Sequence, residues 1–121
     1  MMTNYYETDP EFMERMMHFT FEEVVKEPGQ ELPDETRYMA ILATLLGCQG
    51  IEVYRNMLGK ALDGGLTPVM VKEIVYQAVD YLGIGRVMPF LSATNEILTA
   101  RGVQLPLPAQ GGPGGHRARK P

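Results

Sequence analysis

The sequence predicts an all-α fold, a single-domain bundle of about five helices. Three observations carry that expectation. Residues that start helices (Thr, Asp, Pro) and residues that stop them (Gly) divide the chain into five stretches of helical length. Within those stretches apolar residues recur three and four apart. No stretch alternates apolar and polar residues as a half-buried strand would. With 121 residues, 45% hydrophobic and 21% charged, the chain is sized and composed for one core.

The first helix is expected from Asp9 to Glu27. Thr8 or Asp9 caps it, Pro10 stands in its first turn, acids sit at its positive end, and Pro28-Gly29 ends it. Its apolar residues are Phe12, Met13, Met16, Phe19, Val24 and Val25. The second runs from Pro33-Asp34 to Leu46. Its run Met39-Ala40-Ile41-Leu42-Ala43-Thr44-Leu45-Leu46 is apolar almost all round, which predicts a helix buried on most faces at the centre of the core.

Gly47 and Gly50 bracket Cys48-Gln49 and predict a break before a third helix from about Ile51 to Leu62, which Gly64-Gly65 ends. Thr67-Pro68 caps a fourth helix to Leu82, with Val71, Ile74, Val75, Ala78, Val79 and Leu82 on one stripe. Gly83-Ile84-Gly85 turns the chain into a fifth helix from about Arg86 to Arg101. There Phe90, Leu91, Thr94, Ile97 and Leu98 face inward, Pro89 fits because it falls in the first turn, and Gly102 is the stop. Beyond it Leu105-Pro106-Leu107-Pro108 reads as extended, and Gly111 to Gly115 as a flexible linker to a basic end.

Composition narrows the functional classes. Residues 1–35 hold ten acids against Arg15 and Lys26, a local balance of −8, within a net charge of −4. A folded body without a basic stripe does not suit nucleic acid. No uncharged apolar run is long enough to span a membrane, and Met1 to Pro10 lacks the basic flank and apolar stretch of a secretory signal. The expected location is cytoplasmic. A single cysteine, Cys48, forms neither an internal disulfide nor, alone, a thiolate metal site. His18 and His116 form no cluster, and nine methionines read as pliable core or interface filler, so no metal and no cofactor are expected.

The order of motifs carries a family resemblance. Thr36-Arg37 opens a small-residue apolar helix ending in Leu46-Gly47, and a short polar helix then ends in Ala61-Leu62-Asp63-Gly64-Gly65-Leu66-Thr67-Pro68. Lys72-Glu73-Ile74-Val75-Tyr76-Gln77, Tyr81-Leu82-Gly83 and Asn95-Glu96-Ile97-Leu98 follow. From Leu32 to Gly102 the chain resembles the carboxymuconolactone decarboxylase family, which includes the alkylhydroperoxidase D-like proteins. The resemblance implies an all-helical fold built round a helical hairpin and assembly into homotrimers or homohexamers. It divides the chain into an acidic N-terminal helix (1–31), a family-like helical domain (32–104) and a Pro/Gly tail (105–121).

The peroxidase branch of that family carries Glu-x-x-Cys-x-x-Cys-x-x-x-His in the segment matching Gly47 to Met57. Anchored on Gly65-Leu66-Thr67-Pro68, its cysteines fall on Gly50 and Val53 and its histidine on Met57, with Cys48 two residues off. A two-cysteine cycle within one chain is thereby excluded. The decarboxylase branch relies on a histidine near the same helix, whereas His18 lies on the first helix and His116 in the tail.

Other residues remain for chemistry. A helix beginning just before Cys48 would put Cys48, Glu52 and Arg55 on one face, a thiol beside a carboxylate and a guanidinium. The alternative has Cys48 as a small buried hydrophobe beside a solvated Glu52–Arg55 pair. On the fourth helix Tyr76 and Asp80 are four apart, beside the core stripe, and either line a cavity as proton-handling groups or satisfy one another or a neighbouring subunit. Arg86 is placed to reach a substrate carboxylate or to form a subunit salt bridge.

The leading expectation is cofactor-free proton-transfer or decarboxylation chemistry on a small organic acid or lactone, in a homo-oligomer. Cys48, Glu52 and Arg55 would be its catalytic residues, and Tyr76, Asp80 and Arg86 its binding residues. One alternative is a single-cysteine peroxidase at Cys48, its sulfenic acid resolved by an external thiol. The other is a non-catalytic oligomeric module that binds a small ligand, with the acidic first helix as a docking face.

Overall fold

A computed structural model describes residues 2–24 and 31–109. Among them are six α-helices: α1 (Met2–Thr8), α2 (Pro10–His18), α3 (Asp34–Gly47), α4 (Ile51–Asp63), α5 (Pro68–Leu82) and α6 (Ile84–Ala100). A π-helical turn, Phe19–Val24, extends α2. The all-α expectation holds, and no strand occurs among the described residues. Val25 and the stop at Pro28-Gly29 lie outside the described residues, as does the tail from residue 110.

Helices α3 to α6 form the bundle. α3 packs on α4 and α5, and α6 packs on the same two from the other side, so the order around the bundle is α3, α4, α6, α5. The N-terminal helices sit outside this ring, and α1 touches α4. The core is filled by Leu42 and Leu46 from α3, Tyr54, Leu58 and Ala61 from α4, Val71 and Val75 from α5, and Val87, Phe90, Ala93 and Leu98 from α6, all buried.

The ends of the elements follow local chemistry. Thr67 accepts a hydrogen bond from the Met70 amide at 3.1 Å and starts α5 as expected. Past α4, Gly65 is left-handed (φ +118°) and the Leu66 amide reaches back to the Ala61 carbonyl at 3.0 Å, closing the helix and seating Leu66 in the core. Gly102 (φ +87°) ends α6 in the same way, with the Val103 amide on the Leu98 carbonyl at 2.9 Å.

Three expectations need correction. α1 precedes the first expected helix. Its sequence, MTNYYET, has no apolar stripe and no acid in its first turn, so neither periodicity nor a cap announces it. α6 begins at Ile84 rather than Arg86, because Gly83 alone, at φ +89° and ψ 150°, makes the turn. Pro89 therefore stands in the second turn of α6, where its missing N–H leaves the Gly85 carbonyl without its helical donor. Finally, α3 is not buried on most faces within one chain. Leu42 and Leu46 are buried, but Ala40, Ala43 and Gly47 on its other side are exposed.

The first helix behaves differently from the bundle helices. Of its apolar residues Met13 is buried, while Phe12 is 62% and Phe19 58% exposed. Its apolar face is thus only partly used within the chain.

Candidate functional site

The break between α3 and α4 is where expected, with a geometry that separates the residues placed there. Cys48 and Gln49 form the turn, with Gln49 left-handed at φ +62°, and Gly50 starts α4. Cys48 consequently lies outside the helix that carries Glu52 and Arg55. The condition for the three to share one face is not met, since an i to i+4 relation holds only within one helix. The Cys48 thiol is exposed and contacts the Leu45 carbonyl, Sγ to O 3.7 Å.

Glu52 and Arg55 part company as well. Arg55 is held by Glu96 of α6 at 2.7 Å. Glu52 turns to the N-terminal helices, where the Tyr5 hydroxyl donates to its Oε1 at 3.5 Å. The guanidinium expected beside the thiol is therefore engaged on α6. Tyr76, Asp80 and Arg86 are all exposed; Tyr76 lies under the Lys72 ammonium, 5.8 Å from its ring centroid. His18 pairs with Glu23 at 3.3 Å on the surface, and no group of His, Cys, Asp and Glu among the described residues is arranged to hold a metal ion.

Two grooves remain. The first, of about 400 Å³, lies between the N-terminal helices and α4. Phe12, Met13, Met16 and Val53 make its apolar wall, and Tyr5, Asp9 and Glu52 its polar groups. Its size falls in the ordinary range for small-molecule sites, and its mixture of apolar wall and few polar groups is the usual one. Glu52 is the one member the sequence singled out. Tyr5, Asp9, Phe12, Met13, Met16 and Val53 were missed as site residues; the apolar positions of the first helix were visible, but not their meeting with α4.

The second groove, of about 590 Å³, runs between α3 and α5 and carries no charged residue. Met39, Ala40, Ala43 and Gly47 face Ile74, Ala78 and Leu82 across it, and the 86% exposed Tyr81 stands at its edge with Gln77 and Thr36. Tyr76, Asp80 and Arg86 line neither groove.

Among the described residues, the ionisable group whose pKa departs from its ordinary value is structural. Tyr54 is fully buried, its ring edge-on to Phe90 (5.1 Å, 84°), and its hydroxyl is 2.6 Å from Thr94 Oγ1. Burial pushes its phenol above the ordinary tyrosine value. Because the Thr94 hydroxyl donates its proton to the Phe90 carbonyl at 2.7 Å, Tyr54 is the donor in the pair.

The positions resembling the family's reactive residues can now be placed. Gly50 caps α4, Val53 lines the first groove, and Met57 is buried in the core. A model of the carboxymuconolactone decarboxylase family matches residues 10–96, so the match takes in α2 and runs through most of α6. No curated protein matches, and no solved structure matches. With well over half its length matched, the chain belongs to the carboxymuconolactone decarboxylase family.

Proposed function

We propose that this chain is an oligomeric small-molecule-binding member of its family, with the ligand in the groove between the N-terminal helices and α4. The observation that carries the reading is Val53. It stands where the resemblance puts a reactive cysteine, and it forms part of the wall of a groove of about 400 Å³. The place for a ligand is retained while the residues of the family's redox chemistry are replaced by Gly50, Val53 and Met57. Screening small aromatic and aliphatic fragments by ligand-observed NMR tests this. Fragments should bind the native protein and lose binding in Val53→Arg, whose side chain would fill the groove. Equal binding by the variant would refute the site.

A second reading is favoured by the Tyr5–Glu52 contact. A carboxylate and a phenol on one groove wall can move a proton without a cofactor: Glu52 takes it from carbon beside a carbonyl, and Tyr5 donates a hydrogen bond to the oxygen. Of the small organic acids and lactones expected from the sequence, a neutral lactone suits a groove that already holds two carboxylates. Turnover of a bound lactone that disappears in Glu52→Gln supports catalysis, and unchanged turnover removes it.

The oligomer is part of the proposal. α3 is apolar almost all round yet leaves Ala40, Ala43 and Gly47 uncovered, on an uncharged groove with Tyr81 beside it. A helix of that composition is normally buried on all sides, and a second copy of the chain would complete its burial. Together with the resemblance, this supports a homotrimer or homohexamer.

A further inference from the structure

The charge pattern of the ligand groove names the class of molecule it takes. Its two ionisable acids, Asp9 and Glu52, come from α2's cap position and α4's first turn, and no lysine, arginine or histidine lines it. Among the described residues neither carboxylate meets a cationic side chain: Asp9 accepts the Thr8 hydroxyl at 2.7 Å, and Glu52 the Tyr5 hydroxyl. Arg55, one turn along α4 from Glu52, is occupied by Glu96. The surrounding segment, residues 1–35, has a balance of −8.

An anionic ligand would bring a third negative charge into this groove with nothing to neutralise it, whereas a cation meets two carboxylates and an aromatic surface. The rest of the wall is apolar, with Phe12 62% and Val53 40% exposed. We propose that the groove selects a small amphipathic organic cation, an alkyl- or arylammonium, with its apolar part on Phe12, Met16 and Val53 and its head group beside Asp9 and Glu52. This rests on the groove being the ligand site. It departs from the organic acid that the sequence suggested.

Three molecules of one shape separate the possibilities: 2-phenylethylammonium, neutral 2-phenylethanol and anionic phenylacetate. Each is titrated at low salt into the isotopically labelled native oligomer, with affinities read from the amide shifts of Tyr5, Met13 and Val53. The ammonium should bind roughly threefold to tenfold more tightly than the alcohol, the worth of two partly exposed charge contacts, and the acid more weakly than either. Glu52→Gln or Asp9→Asn should each weaken the ammonium by about twofold to fivefold and leave the alcohol unchanged. Added salt should erase the advantage of the ammonium. An alcohol that binds the groove as tightly as the ammonium overturns the charge selection and leaves the groove as a ligand site. An acid that binds most tightly overturns it too. If none of the three shifts the groove amides, the groove reading falls, and the cation selection with it.

Discussion

Replacing Thr94 by valine should destabilise the protein more than replacing Tyr54, its larger partner, by phenylalanine. The two hydroxyls are buried 2.6 Å apart, and Thr94 passes its own proton to the Phe90 carbonyl. Tyr54→Phe removes a donor but keeps the Thr94–Phe90 bond and the edge-on ring contact, which puts the loss at about 1 kcal/mol. Thr94→Val keeps the volume but leaves the Tyr54 hydroxyl, fully buried, without an acceptor, and its desolvation adds to the lost bond. The cost should be about 2 kcal/mol. In a chain of this size that separates the melting temperatures by roughly 3 to 6 °C. The double variant should be no worse than Thr94→Val alone, because it removes the orphaned hydroxyl. Urea and thermal unfolding followed by circular dichroism measure all three. A Thr94→Val no less stable than Tyr54→Phe, or strictly additive losses in the double variant, would refute this assignment of donor and acceptor.

Other consequences follow from the same geometry. Because the folded protein raises the Tyr54 pKa above its ordinary value of 10.0, the neutral phenol's contribution is fully present below pH 10 and lost as pH rises through the folded value. Urea midpoints should therefore fall above about pH 10, and fall less steeply in Tyr54→Phe. Gly83→Ala forces a side chain onto φ +89° and ψ 150° between α5 and α6, which should cost about 1 to 3 kcal/mol in the same unfolding assay although nothing lies within 4 Å of the added carbon. Ala43→Glu puts a charge on the uncharged α3–α5 groove. Sedimentation equilibrium should show a loss of assembly with helicity retained. The Arg55–Glu96 pair, exposed at its Glu end, should give a coupling energy of only about 0.2 to 1 kcal/mol in a double-mutant cycle.

What the sequence made legible was local. Thr67 as a cap, Gly65 and Gly102 as stops, and the inward Val71, Val75, Phe90, Thr94 and Leu98 depend on residues within a turn of one another, so spacing announces them. The candidate site depends on contacts distant along the chain. Tyr5 reaches Glu52 across 47 residues and Arg55 reaches Glu96 across 41, and no periodicity encodes either. The thiol–carboxylate–guanidinium face failed for a local reason that spacing cannot express: one left-handed residue, Gln49, ends the turn and sets Cys48 off α4. The composition of α3 overstated its burial within one chain: the run from Met39 to Leu46 is apolar almost all round, yet Ala40 and Ala43 within it are exposed.

We propose the groove of Tyr5, Phe12, Met13 and Val53 as the place where this protein takes its ligand. Mapping the amide shifts caused by neutral 2-phenylethanol over the whole labelled protein locates that site, because charge plays no part. The largest shifts should fall at residues 5–16 and 50–54, with none between residues 74 and 82. Shifts concentrated on Met39 to Gly47 and Ile74 to Leu82 would contradict it and place the ligand between α3 and α5.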